Sequence, residues 1–267
     1  MPLTPVGLFE VGPAEAPGRW SWSPHPTLFT PSGFLQGGAA LGVAIATLQL
    51  AAGRPVVWAN AQFVSFATVG STLDFAPAIV ATGRLTTQAR CCVSRSGTEL
   101  LTLQGALGAR AADHDGTWVR PPSVLSPDAC PAYVAFAAGR GDLGDLVEMR
   151  LAQGRTKAQL DGVRGEGALA LWVRFLDGAD DLSAPRLSVI GDFMPLVFAE
   201  ALGIRAYGNS LDITIRLGPQ RAGRWVLLDI HAHQVHNGVG SARAFLWGQD
   251  GALLADMSQS AIVRLGG

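Results

Sequence analysis

Two polar side chains stand in apolar segments, where an uncompensated polar group is costly. The first is Asp192, within Ile190-Gly191-Asp192-Phe193-Met194-Pro195-Leu196. A carboxylate held by a buried helix can take the proton of an attacking water, which is general-base chemistry. A helix N-cap explains the same residue equally well, because Asp is strongly preferred there and Pro195 would fall in the first turn that follows. The second is Gln259. Leu253, Ala255, Met257, Ala261 and Val263 share one strand face by the two-residue period, and Gln259 lies with them. Its amide must bond either to nearby backbone or to something held in a site.

Other reactive residue types carry less. Asp229, His231 and His233 alternate along one expected strand, with His236 after them. Alternating His on a solvated strand, without a second ligand cluster, makes no metal site, and none is expected. Lys157 is the only lysine and so the single candidate for Schiff-base chemistry. Cys91 and Cys92 point to opposite faces of a strand as small, half-buried hydrophobes. Three cysteines make no disulfide framework and favour a reducing cytoplasm. Gly139-Arg-Gly-Asp142 is accounted for by turn chemistry. Ser210 has no Gly-x-Ser-x-Gly around it and is not read as a covalent nucleophile. By parity it groups with polar Asp212 and Thr214, so pointing it inward would require the strand to begin after it.

The elements that must position these groups are legible in outline. Of 267 residues, 48% are hydrophobic and 15% charged, with a net charge of −1. That composition excludes a disordered chain, and the balanced charge offers no field for nucleic acid or an anionic membrane. Gly38–Ala52 is nearly all apolar, yet shorter than the ~20 residues that cross a bilayer, and it contains Gln49. A helix apolar on every side must be buried on every side. Residues 1–18 hold no basic segment followed by an apolar run, so no signal peptide is expected there.

After that helix, Val56–Phe66, Thr72–Ala81, Arg84–Val93 and Glu99–Leu107 read as strands, with Arg95-Ser-Gly-Thr98 as a hairpin turn. The pattern then recurs. Leu187–Leu202 is a second apolar helix, followed by strands at Ser210–Leu217, Trp225–His233, Ser241–Gly248 and Leu253–Arg264, with a turn at Gln249-Asp-Gly-Ala252. Upstream strands lie near Trp20–Ser23 and Ala168–Phe175. Between the copies, Ala111–Asp145 is rich in Pro and Gly and reads as a linker. The expected division is 1–112, a linker at 113–143, and 144–267 carrying Asp192, Ser210 and Gln259.

A helix wrapped by an antiparallel sheet, occurring twice, is an α+β tandem (double) hot-dog arrangement. The motifs make the likeness specific. Gly33-Phe-Leu-Gln-Gly-Gly38 resembles the Phe-Gly-Gly helix entry of the bacterial type II acyl-CoA thioesterases (TesB-like). Gly83-Arg-Leu-Thr-Thr-Gln-Ala-Arg90 with Ser96-Gly97 resembles their strand–turn segment, ending here in Gln104. Leu171-Trp-Val-Arg174, Asp180-Asp-Leu182, Val189-Ile-Gly-Asp-Phe193, Ser210-Leu-Asp212, Trp225-Val-Leu-Leu228 and Gly251-Ala-Leu-Leu-Ala-Asp-Met-Ser-Gln259 follow in the family's order, down to Arg264.

The resemblance implies that Asp192, Ser210 and Gln259 are catalytic: they hold a water that attacks the thioester of an acyl-CoA, and Asp192 takes its proton. Ser210 matches a Thr or Ser position of the family, although Ile213 stands where relatives often have a histidine after the aspartate. Oxyanion donors are not legible; Gly37 and Gly38 suit close helix-to-sheet packing better than substrate approach. No cofactor or metal is implied, the partner is the acyl-CoA substrate, and a homodimer or higher homo-oligomer is implied. The competing readings are a non-catalytic acyl-thioester-binding protein and an enoyl-thioester hydratase. The hydratase would want an Asp–His pair, which the segments around Asp192 lack.

Overall fold

The computed structural model describes residues 7–109 and 114–266. The expected 112/113 boundary, and residues 1–6 of the amino-terminal segment, lie outside them.

The strands are β1 (Gly12–Pro13), β2 (Trp20–Trp22), β3 (Val56–Phe63), β4 (Leu73–Thr82), β5 (Thr86–Arg95), β6 (Thr98–Gly108), β7 (Val147–Gln153), β8 (Ala168–Phe175), β9 (Ala206–Leu217), β10 (Val226–His236), β11 (Val239–Gly248) and β12 (Leu253–Leu265). The α-helices are α1 (Gly37–Ala52), α2 (Leu143–Leu146), α3 (Ala184–Gly191) and α4 (Val197–Leu202). All twelve strands form one sheet in the order β1-β2-β4-β5-β6-β3-β9-β12-β11-β10-β8-β7. The order is the same read outward from the β3–β9 junction in either direction: β3, β6, β5, β4, β2 on one side and β9, β12, β11, β10, β8 on the other. Among the described residues no helix is long and apolar enough to cross a membrane.

The apolar run Gly38–Gln49 of α1 is buried at every position. Its neighbours are β3 to β6 on one side and α3 on the other. Two small residues allow the helix–helix approach. A Cβ on Gly38 would lie 2.2 Å from the Ser188 carbonyl oxygen, and one on Gly42 would lie 2.5 Å from Pro185 Cα. Four residues apart, they form one small-residue face on which the α3 backbone rests. The tight packing of Gly38 is therefore against a helix; Gly37 is the one that meets the sheet, at Phe63 of β3.

The second helix differs from expectation. It begins at Ala184 rather than Leu187, after Ser183 and with Pro185 in its first turn, and it is not continuous. A 3₁₀ turn at Met194–Leu196 separates α3 from α4. Pro195 is the cause: it has no N–H to donate, and its ring would collide with the carbonyl four residues back. The break leaves Asp192 at the carboxy-terminal end of α3. Asp192 is therefore not an N-cap.

β9 also differs. It starts at Ala206 and runs through Ser210, with a β-bulge there: Ser260 pairs with Asp212, but Ala261 pairs with Ser210, leaving Leu211 as the extra residue. A bulge reverses parity. Ser210 and Ile213 can thus both face inward in one unbroken strand, which simple alternation forbids.

The linker carries a 3₁₀ turn at Pro127–Ala129 and lies there against the C-terminal half, while α2, where the linker ends, meets the first half, Leu143 N–H donating to the Phe29 carbonyl at 3.0 Å. Trp172 Nε1 donates to the Leu125 carbonyl at 2.9 Å, over a small apolar cluster of Cys130, Ala170, Trp172, Trp225, Leu227 and Trp247. The Gly139–Asp142 stretch is local turn chemistry, with Gly139 and Gly141 N–H groups donating to Asp145. Cys91, Cys92 and Cys130 are free thiols.

Gly38→Ala and Gly42→Ala should each lower stability by about 2 kcal/mol, the usual scale of overpacking. Gly12→Ala, whose new methyl would meet open space, should change little. Thermal midpoints of the three variants check this, and an unchanged midpoint for Gly38→Ala would rule out the close helix contact.

Candidate active site

The break in the second helix and the entrance of α1 meet at one point. The first turn of any α-helix has N–H groups without intrahelical acceptors. In α1 the N-cap residue Gln36 gives no side-chain bond to them, and no acid stands in the first turn. The acceptor comes from the other half of the molecule: Gly38 N–H donates to Asp192 Oδ2 at 2.8 Å. Asp192 thus faces the positive end of the sixteen-residue α1, a favourable place for an anion. Gln36 ties the same junction, its Nε2 donating to the Val189 carbonyl of α3 at 2.8 Å.

The other carboxylate oxygen is held by the sheet. Ser210 Oγ donates to Asp192 Oδ1 at 3.0 Å. Gln259 Nε2 donates to the same oxygen at 2.9 Å and to Ser210 Oγ at 2.6 Å. All three residues expected from the sequence therefore form one hydrogen-bonded cluster. Gln259 faces inward with Ala255, Met257 and Ala261, as parity required. Its partners are side chains of the cluster, not neighbouring backbone, and its Oε1 is buried without a protein partner.

A cavity of about 840 Å³ opens at this cluster. Asp192, Ser210, Gln36 and Gly37 line it, with an otherwise mainly apolar wall that includes Phe63, Leu73, Leu101, Phe136 and Phe193. Gln259 does not line it and stands behind Asp192 and Ser210, where it orients both. The cavity forms because β3 and β9 part: their pairing ends at Gln62 and Asp212.

Burial pushes the Asp192 carboxyl up to about 6, against the opposing effect of the Gly38, Ser210, Gln259 and Gly37 hydrogen bonds. What exposure Asp192 has is to the cavity. A carboxylate with this pKa is ionised at neutral pH yet basic enough to accept a proton.

Among the described residues the cluster has no counterpart in the other half. Gln259 lies eight residues after the turn glycine Gly251, and Gly105 lies eight after Gly97. The bulge at Leu211 has its counterpart at Val57, so Val56 occupies the position of Ser210. A valine and a glycine replace the serine and glutamine, and α1 carries no carboxylate.

The other sequence candidates stay apart from the cavity. His231 Nε2 lies 3.0 Å from Asp229 Oδ1, and a register shift at His233 breaks the expected common face. Among the described residues no group of three or more His, Cys, Asp or Glu is placed to hold a metal ion. Gln36 was not among the expected site residues. Its signal was a polar residue directly before a helix entrance otherwise apolar on every side.

The raised pKa of Asp192 fixes a sign for stability against pH. The folded state holds the proton more tightly than the unfolded chain, so stability is lost as pH rises from about 4 to about 6. Above that window the buried charge costs about 3 kcal/mol. Asp192→Asn removes that cost, and its amide can still accept from Gly38. The variant should be more stable than the parent at pH 8, with the gain vanishing below pH 4. Denaturant unfolding at the two pH values checks this.

Residues 127–263 match the family model described as acyl-CoA thioesterase C-terminal domain. Among solved structures, a protein of Novosphingobium aromaticivorans assigned as a thioesterase is 31% identical, with 95% of this chain and 98% of that chain covered and a TM-score of 0.84. A conserved Alicyclobacillus acidocaldarius protein of unknown function with the hot-dog fold is 18% identical, covers 97% of both chains and has a TM-score of 0.81. Acyl-CoA thioesterase II TesB2 of Mycobacterium marinum is 14% identical, with 97% of this chain and 96% of that chain covered and a TM-score of 0.74. The last two bear on the fold alone. No curated protein matches the chain. With the family model spanning the second half and 31% identity along nearly the whole length, the chain belongs to the acyl-CoA thioesterase family and is a thioester hydrolase of hot-dog fold.

Proposed function

We propose that the protein is a tandem of two hot-dog units, 1–112 and 144–267 joined by 113–143, that hydrolyses acyl-CoA thioesters with Asp192 as general base and Ser210 and Gln259 holding it. The mirrored strand order about the β3–β9 junction supports the tandem reading. The observation that carries the catalytic reading is the Asp192 carboxylate, aimed into an apolar cavity and held on its other edge by Ser210 and Gln259.

The acyl chain lies against the apolar wall, with its thioester carbonyl at Asp192. Water attacks the carbonyl carbon as Asp192 takes one of its protons, giving a tetrahedral intermediate. Collapse breaks the C–S bond, the electron pair leaves with sulfur, and the proton on Asp192 passes to it. Carboxylic acid and thiol result, and Asp192 is ionised again. Among the described residues no histidine lines the cavity, which disfavours hydration of an enoyl thioester. The three free thiols are in keeping with action in the cytoplasm. Fatty-acid metabolism and pairing into a homodimer or larger homo-oligomer through the sheets complete the reading.

Release of free thiol from a panel of acyl-CoA chain lengths is the test. Asp192→Asn should lower kcat by about a thousandfold, the usual scale for a lost general base. Gln259→Ala and Ser210→Ala should each lower it about ten- to a hundredfold, since the base remains but is no longer oriented. The parent's kcat/KM should fall on the acid side of a pKa near 6. Unchanged turnover in Asp192→Asn and Gln259→Ala would sink the site assignment. Binding of acyl-CoA without turnover would favour the non-catalytic reading.

A further inference from the structure

We infer that Arg264, Arg205 and Lys157 form a phosphate-binding cluster at the cavity mouth, selecting a thioester of the nucleotide-bearing coenzyme over one carried on pantetheine alone. The inference rests on the thioester-hydrolase reading of the Asp192 cavity.

Arg264 lines the main cavity beside Tyr207 and Asn209, and it is the cation among the lining residues. In the β9–β12 ladder Arg264 stands opposite Tyr207. One step further out, Gly266 N–H donates to the Arg205 carbonyl at 2.8 Å. Strand alternation puts Arg205 on the Tyr207 face and Gly266 on the Arg264 face. Diagonal neighbours of this kind lie roughly 7–8 Å apart. Arg205 and Lys157 in turn line a second, shallower concavity of about 460 Å³, together with Gly266. Lys157 Nζ reaches the Ala135 carbonyl at 2.6 Å, and the next residue, Phe136, lines the main cavity. Lys157 is thus bonded one residue from the main-cavity wall, and Arg205 stands two residues from Tyr207 of that wall.

Among the described residues these cations have no acidic partner. The acids on this side, Asp161 and Glu200, are held by Arg155 at 3.1 and 2.9 Å. Among the ion pairs of the described residues, Lys157, Arg205 and Arg264 take no part. Burial and then the charge of Arg205 hold the Lys157 ammonium below its ordinary pKa. Like charges gathered without a counter-ion are unfavourable until an anion joins them.

The route back to the reacting centre fits the same ligand. From Arg205 to Ser210 is five residues of strand, roughly 17 Å, which an extended pantetheine arm can span. Along that stretch the edge of β9 has no β3 partner, because pairing ends at Asp212. Its free main-chain groups can bond the amides of the arm as an added strand would.

Calorimetry with free coenzyme A and with pantetheine, on the whole chain at low and high salt, decides the question without needing turnover. Coenzyme A should bind at least tenfold more tightly than pantetheine, with the advantage fading at high salt. The double variant Arg205→Gln/Arg264→Gln should weaken coenzyme A binding about tenfold. It should also lower the ratio of kcat/KM for acyl-CoA to that for the matching acyl-pantetheine. Arg216→Gln, a surface cation near the other end of β9, should leave that ratio unchanged. Equal affinity for the two thiols, equal losses on both substrates, or a preference for carrier-protein thioesters would overturn the phosphate site. Hydrolysis of acyl-pantetheine in those cases would leave the hydrolase reading standing. If neither thioester is turned over, the hydrolase reading fails, and coenzyme A binding still decides the cluster.

Discussion

The contact on which the site depends is a carboxylate from one half of the molecule accepting from the open end of a helix in the other. Asp192 sits at the carboxy-terminal end of α3, where the dipole of its own helix is unfavourable, and at the amino-terminal end of α1, where the field is favourable. Burial alone would leave a charge there too costly to keep. Three kinds of donor, a helix N–H, a hydroxyl and an amide, lower the cost enough for the group to ionise near neutrality. Each comes from a separate element, so the cluster exists only when α1, α3, β9 and β12 are assembled.

That assembly follows from small residues and one break. Gly38 and Gly42 let α1 approach α3 to backbone contact, with no room for even a methyl group. Pro195 stops the second helix from running on, and the chain turns where the carboxylate is needed. The bulge at Leu211 then brings Ser210 to the same point. A regular helix and a regular strand would leave Asp192 and Ser210 with different neighbours. In the first half α1 is continuous, and valine and glycine occupy the positions of the serine and glutamine. The two halves share a strand order, and only the second holds the hydrogen-bonded cluster among the described residues.

The separation of β3 from β9 beyond Gln62 and Asp212 serves both ends of the site. Inward it makes the apolar cavity beside Asp192. Outward it leaves a free edge of β9, beside which Arg205 and Arg264 stand. Apolar chain, reacting carbonyl and charged tail can thus lie along one line.

Much was legible in the residues themselves. Hydrophobic patterning follows local periods of two and 3.6 residues, so α1, most strands and their repeat could be placed from sequence. So could the inward face of Gln259, because β12 is regular around it. Polar residues isolated in apolar segments marked Asp192 and Gln259, since such groups persist only with partners. Tertiary structure decided what those partners were. The N-cap reading of Asp192 was sound local chemistry, but the helix it caps in effect begins 154 residues away, at Gly38. Parity turned Ser210 outward because a bulge is set by pairing with a second strand, which no single strand encodes. Gln36 showed its role only when α3 came alongside. Local sequence determines which groups must be buried and on which face; which buried groups meet depends on long-range packing, where residues far apart in the chain become neighbours.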